Sequence, residues 1–295
     1  MFTKIRHHLT KIRNSRIAVD GKRKAPPGKE AAAMIDPNGT VYDLTGPDDA
    51  PVVVLIHGLG LSRAVWQWLT PELTRFRTLT YDLIGHGETA PPKGQPTLRD
   101  LAAQLAALLD HLAIDQAAIT GFSLGGMIAR RFAQDYPART TALVILHSAH
   151  RRSEKAQSAI LFRVTQAEEH GPAATVELAL ERWYTEAARA ARPDLMELTR
   201  QWVLANDPKV YPRLYRILAH GVDEIVAPQP PITCPTLVLT GDEDHGNSPE
   251  MSIAIATEIP RARLVILKGL RHMALAEDPP AVNRPVVAFL TEVLG

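Results

Sequence analysis

Residues 116–136 read Q-A-A-I-T-G-F-S-L-G-G-M-I-A-R-R-F-A-Q-D-Y. Gln116–Phe122 is a short apolar run with the look of a strand, and Leu124–Tyr136 has the look of a helix. Between them stands Gly121-Phe122-Ser123-Leu124-Gly125-Gly126, a G-x-S-x-G pattern in strand–turn–helix context. That context is the mark of a nucleophile elbow. The turn is too sharp for a large side chain on either flank, so glycine stands on both sides. The serine oxygen then projects above the sheet edge. The N-terminus of the following helix turns its partial positive charge toward the same place.

Working outward, strand and helix alternate. Pro51–His57 (P-V-V-V-L-I-H) is a continuous β-branched run, as expected of a strand covered on both faces. Ala64–Leu73 reads as a helix and Arg77–Leu83 as a strand. Thr97–Leu112 reads as an amphipathic helix, with Thr97 as its N-cap and Asp100 three residues on. Thr141–Ser148 is a further strand, and Gly39–Leu44 is a short one. The alternation resumes with Thr236–Gly241, Pro249–Ile259, Leu264–Lys268 and Pro280–Val293. The expected fold class is α/β, a mostly parallel sheet with helices on both faces. Residues 151–228 differ. They are rich in Ala, Leu, Glu and Arg, lack a β run, and break at Gly171-Pro172, Pro193, Pro208 and Pro212. They read as a helical cap inserted into a core of residues 34–150 and 229–295, over the strand ends where ligands bind in open α/β sheets.

Charge divides the chain. The formal net charge is +1, which argues against nucleic acid as a partner. Residues 1–33 carry nine Lys/Arg and two acids, a net of +7, which leaves −6 for the remainder. The tail reads as a basic, disordered extension outside the fold. Phe2, Ile5, Leu9 and Ile12 at helical spacing leave a targeting role open. No apolar run approaches the ~18–20 residues a membrane span needs, so no stable membrane insertion is expected. The one cysteine, Cys234, rules out an intramolecular disulfide and fits a reducing, cytoplasmic compartment.

A serine hydroxyl needs a base, and the base an orienting acid. In an elbow fold the chain order is Ser, acid, His. His272, between the last strand and the last helix, meets this order better than His245 in the acid loop. Thr240-Gly241-Asp242-Glu243-Asp244 supplies the acid, with Asp244 preferred and Asp242 its rival. His57-Gly58-Leu59-Gly60 ends the first buried strand, so the Leu59 and Leu124 N–H groups are the expected oxyanion hole. His57 is expected to tie the loop. Asp82-Leu83-Ile84-Gly85-His86-Gly87-Glu88 reads as scaffold, and no metal is expected from Asp82 and His86.

These marks together (H-G-L-G, Y-D-L-I-G-H-G, G-F-S-L-G-G, G-D-E-D and R-H-M-A-L-A-E-D-P) resemble the α/β-hydrolase superfamily from about residue 38 to 295. G-F-S-L-G-G-M-I-A, H-S-A-H, and G-P-A-A-T-V followed by R-W-Y-T look similar to the 3-oxoadipate enol-lactonase-like branch. The resemblance implies a serine hydrolase acting on a small-molecule ester or lactone through an acyl-enzyme, without a cofactor. It also implies that the second aspartate of G-D-x-D serves as the acid, which supports Asp244. C–C bond hydrolysis, haloperoxidase or perhydrolase chemistry and acyl transfer share the same three residues. A non-catalytic ligand receptor would predict a broken set. The substrate and the oligomeric state stay open. Trp66, Trp183 and Arg151 are the expected substrate contacts, with Arg152, Arg63, Arg163 and Arg182 as further candidate carboxylate partners.

Overall fold

The computed structural model describes residues 33–295, so the expectation for the basic tail lies outside the described residues. The described residues open with β1 (Met34–Ile35), β2 (Val41–Thr45), β3 (Val52–Ile56) and β4 (Arg77–Tyr81). α1 (Leu98–His111), β5 (Ala117–Phe122), α2 (Leu124–Asp135) and β6 (Thr140–Leu146) follow. Next come α3 (Glu154–His170), α4 (Ala173–Trp183), α5 (Glu186–Ala191), α6 (Pro193–Leu204) and α7 (Tyr211–His220). β7 (Thr236–Gly241), α8 (Pro249–Glu258), β8 (Ala262–Leu267), α9 (Ala274–Glu277) and α10 (Pro279–Leu294) complete the chain.

The strands form one sheet in the order β1-β2-β4-β3-β5-β6-β7-β8. The first two pairings are antiparallel, β1 with β2 and β2 with β4. From β4 onward every pairing is parallel. A parallel sheet must be covered on both faces, and the strand residues divide accordingly. Val54, Ile56, Ile119, Leu143 and Ile145 join a core with α1 and α2. Val53, Leu55, Ala118, Val144 and Leu146 join a second core with α9 and α10. This two-sided burial explains the unbroken apolar run of β3. It places the strands' C-terminal ends in line along one edge.

α1 starts as the sequence predicts. The Asp100 N–H donates to Thr97 Oγ1 at 3.2 Å, and the Thr97 N–H donates to Asp100 Oδ2 at 2.8 Å. Leu98, Leu101, Leu105, Leu108 and Leu109 are all fully buried. Burial of each is worth roughly 1.5–3 kcal/mol. The expected helix over 64–73 is corrected to two short 3-10 turns, Arg63–Trp68 and Thr70–Glu72. Pro71 supplies no N–H for a continuing helix, and Thr70 Oγ1 bonds the Trp66 carbonyl instead, at 3.0 Å. Between β6 and β7 the chain is helical throughout its regular structure, with breaks at Gly171-Pro172, Arg192-Pro193 and residues 205–210. No helix among the described residues is long and apolar enough to cross a membrane.

Candidate active site

Ser123 follows β5 with φ 57° and ψ −115°. A non-glycine residue there costs of order 1–3 kcal/mol and persists only when its surroundings enforce it. The Ser123 N–H is anchored on the Leu146 carbonyl at 2.8 Å. A Cβ on Gly121 would stand 2.1 Å from the Gly125 oxygen, and one on Gly125 would stand 2.1 Å from the Ile56 oxygen. Strand, helix and turn are therefore packed backbone against backbone. This contact is what the two glycines permit, and it lifts the serine hydroxyl above the strand edge.

Two loops at that same edge complete a chain of hydrogen bonds. His272, in the loop after β8, lies with Nε2 3.1 Å from Ser123 Oγ. Its Nδ1 lies 2.7 Å from Asp244 Oδ2. Asp244, after β7, is 1% exposed, and both of its oxygens are occupied. Oδ1 accepts the Gly246 and Asn247 N–H groups at 3.0 and 2.9 Å. Burial alone would raise the Asp244 pKa, but His272 and His147 outweigh it and hold the carboxyl well below its usual range. A carboxylate accepting from Nδ1 fixes the His272 proton there and leaves Nε2 free to accept from serine. Asp242 lies apart from this network. It accepts the Gly269 N–H at 2.7 Å and pairs with Lys268 at 3.2 Å.

The sequence reading passed over His147. It directly follows β6, and its Nδ1 lies 3.0 Å from the same Asp244 Oδ2 that His272 uses. Its position at a strand end beside the elbow strand was the available signal. His147, Asp244 and His272 have donor atoms within 4.8 Å of one another. The Nδ1 of both rings is directed at the carboxylate, so the group is knit by hydrogen bonds.

His57 and His86 tie down the neighbouring loop. Leu83 N–H donates to His57 Nε2 at 3.0 Å, so Nδ1 carries the proton and donates to the Gly58 carbonyl at 2.8 Å. Gly60 N–H donates to His86 Nε2 at 3.0 Å. Asp82 is bound by Arg63, whose N–H donates to Oδ1 at 2.7 Å. These ties press the loop over the elbow: a Cβ on Gly58 would stand 3.1 Å from Ser123 Cβ. The Leu59 and Leu124 N–H groups donate to no other group among the described residues.

Burial holds His57, His86 and His147 below their ordinary pKa of 6.5. Once unfolded, each takes up a proton near pH 6.5 that the folded state resists. Their stabilising contribution is therefore complete above that pH and is lost as pH falls below it. The slope reaches about 1.4 kcal/mol per pH unit for each histidine. Urea unfolding at pH 7.5 and 5.5 should show a clearly lower midpoint at pH 5.5; equal midpoints would contradict the neutral buried histidines.

Ser123 and His272 open into a cavity of about 130 Å³, lined also by Leu59, Trp183 and residues of α3, α4 and α7. Trp183 stacks near His272, with ring centroids 5.9 Å apart. Two expected contacts are corrected. Trp66 is 1% exposed and packs in the core beneath the sheet, because its 3-10 turn faces inward against Val53 and Leu55. Arg151 is exposed, and the cavity is reached by its neighbour Arg152. Adjacent side chains leave this non-helical segment on different sides. Arg63 is also displaced from the cavity; it pairs with Asp43, Asp82 and Glu88. Arg163 and Arg182 do line it, with Tyr211, Tyr215, His245 and Asn247, of which the sequence reading named only His245 and ranked it below His272.

A family model described as alpha/beta hydrolase fold matches residues 51–167. The 3-oxoadipate enol-lactonase 2 of Acinetobacter baylyi is 26% identical over 251 residues, covering 84% of this chain and 92% of that protein. The (E)-2-((N-methylformamido)methylene)succinate hydrolase of the same organism is 25% identical over 244 residues, with coverage of 81% and 89%. Among solved structures, the enol-lactonase from Burkholderia xenovorans LB400 aligns with a TM-score of 0.80 at 28% identity. That alignment covers 86% of this chain and 98% of the other.

Proposed function

The chain belongs to the α/β-hydrolase superfamily, and its relatives are hydrolases; from that premise we propose that it is a serine hydrolase of small carboxylic esters or lactones. The observation that carries this reading is the continuous run of hydrogen bonds from Ser123 through His272 to Asp244, at 3.1 and 2.7 Å.

In this mechanism Ser123 Oγ attacks the substrate carbonyl while His272 Nε2 takes its proton. Asp244 holds the imidazole in the required tautomer and stabilises the imidazolium. The oxyanion is received by the Leu59 and Leu124 N–H groups, where the loss of one donor typically costs about 3 kcal/mol. The carbonyl–oxygen bond then breaks, and the leaving alkoxide takes the proton from His272. For a lactone that hydroxyl stays attached to the acyl group. Water, deprotonated by His272, attacks the acyl-enzyme and restores Ser123. Residues 151–228 act as the cap over the core formed by residues 34–150 and 229–295. The small cavity favours a small substrate, since pockets that take drug-sized ligands measure roughly 300–1,000 Å³. The enol-lactonase and succinate-derivative hydrolase relatives are consistent with ester or lactone-type chemistry on this scaffold.

A fluorophosphonate probe with p-nitrophenyl acetate tests the reading. The expected result is turnover of the ester and a covalent adduct mapped by mass spectrometry to Ser123. Neither turnover nor labelling would overturn it.

A further inference from the structure

We infer that His147 is a positioning residue of the reaction, a second and neutral imidazole that donates to Asp244 Oδ2, fixes the carboxylate and moderates its hold on His272. This rests on the hydrolase reading above and adds a fourth side chain to it.

Asp244 Oδ2 stands between two rings, with His272 Nδ1 at 2.7 Å and His147 Nδ1 at 3.0 Å. The rings meet edge to face, their centroids 5.7 Å apart. Only His272 reaches the serine. It lines the cavity with Ser123, whereas His147 is fully buried and is not part of the cavity wall. The His147 ring packs edge to face on Phe122 of the elbow, at 5.9 Å between centroids. Its Nε2 is buried without a hydrogen-bond partner among the described residues.

These surroundings fix the state of the ring. Thr240 Oγ1 donates to the Asn247 carbonyl at 3.3 Å, so toward His147 Nδ1, 3.4 Å away, it presents a lone pair. Nδ1 therefore faces two acceptors, Thr240 Oγ1 and Asp244 Oδ2, and the proton belongs there. A second proton on Nε2 would strand a charged N–H group away from any acceptor. Burial lowers the His147 pKa and the nearby His272 adds to this, while the hydrogen bond and charge of Asp244 oppose it without prevailing. His147 thus offers Asp244 a dipole and no competing charge.

The backbone enforces the placement. His147 has φ 49°, in the left-handed region that a non-glycine residue adopts at a cost. Its N–H donates to the Leu239 carbonyl at 2.8 Å, and Asn247 Nδ2 donates to its carbonyl at 2.6 Å. The Asn247 N–H in turn donates to Asp244 Oδ1 at 2.9 Å. One residue of the acid loop therefore ties His147 and Asp244 together, and the carboxylate is held through both oxygens.

An oxygen shared by two donors stabilises an imidazolium less than one given over to it alone. Without the His147 donor, His272 should hold its proton to a higher pH, and the carboxylate should be less well fixed. The other titratable or charged side chains sharing the cavity with His272 are Arg152, Arg163, Arg182, Tyr211 and Tyr215 of the cap and His245 of the acid loop. The arginines stay charged between pH 5 and 8, Arg152 being lowered only to about 10 by burial and Arg163. His245 is the imidazole among them, so the comparison is made in its presence and in a His245→Gln background.

The test follows the acid limb of kcat/KM for p-nitrophenyl acetate in the wild type, His147→Phe and His147→Asn, with active sites counted by fluorophosphonate labelling. Phenylalanine keeps the ring and removes the donor. Asparagine keeps a neutral N–H donor and tolerates positive φ. In His147→Phe the limb should move up by about 0.5 pH, in both backgrounds. Its kcat should fall by about tenfold while KM stays within about twofold, because His147 does not line the cavity. His147→Asn should keep the wild-type limb and most of kcat. Because His147→Phe can fail to fold, ¹⁵N NMR of the wild-type ring is the second measurement. It should show Nδ1 protonated and Nε2 bare from pH 8 to 5.5. An unmoved limb in His147→Phe, an equal shift in both variants, or an imidazolium or Nε2–H tautomer at His147 in that range would overturn the inference. A wild type that turns over ester and takes the label, with an unmoved limb in His147→Phe, would remove only this inference. Neither turnover nor label in the wild type would overturn the hydrolase reading and this role with it.

Discussion

Replacing Ser123 by alanine is expected to lower ester hydrolysis by about a millionfold and to abolish fluorophosphonate labelling. Among the described residues the hydroxyl has one hydrogen-bond partner, His272 Nε2 at 3.1 Å, so its removal breaks no structural tie there. The strained backbone at φ 57° is anchored through the Ser123 N–H, which alanine retains. The thermal midpoint should therefore change little while activity disappears. What persists is rate enhancement from the oxyanion donors and from binding, of order a thousandfold over water. Kinetics with p-nitrophenyl acetate and intact-mass analysis after probe treatment read both effects. Retained turnover, or a label on another residue, would place the nucleophile elsewhere.

Asp244→Asn is expected to lower kcat by about 10⁴-fold. The amide removes the charge that steadies the His272 imidazolium. It also presents N–H donors to a ring whose Nδ1 must itself donate, so His272 is driven to the wrong tautomer. The same substitution disturbs His147, which shares Oδ2 at 3.0 Å. A buried donor left without an acceptor costs about 1–3 kcal/mol, so a drop in unfolding free energy should accompany the loss of rate. Asp242→Asn is the matched control. Asp242 accepts from Gly269 at 2.7 Å and lies beside Lys268, apart from both histidines. Its replacement should leave kcat within about twofold. Similar kcat values for the two variants would contradict the assignment of the acid.

Much of the site was legible because its signals are local. Gly121 and Gly125 flank the serine because strand, turn and helix touch backbone to backbone there, and such a contact admits no side chain. The preference for Asp244 over Asp242 rests on the G-D-E-D pattern; in the structure Asp244 lies against His272, whereas Asp242 lies against Gly269 and Lys268. Thr97 and Asp100 announced the start of α1 because both partners of the capping box lie within one turn. The two-residue strand β1 was not legible: Met34 and Ile35 are too few to show a period, and only pairing with Tyr42 and Val41 makes them a strand.

Alternating periodicity, the glycine pattern and the order of Ser123, Asp244 and His272 were set by the sequence alone, since each is a property of residues read along the chain. Only the tertiary structure decided which side chains meet. Ser123 and His272 are 149 positions apart and touch because parallel strands bring their C-terminal ends to one edge. Trp66 went to the core while Trp183 reached the cavity, and Arg152 rather than Arg151 faces inward. His147 joined Asp244 for the same reason, as β6 lies beside β7 in the sheet. The direction a side chain takes depends on the surface its element packs against, and that surface is built by residues far away in the chain.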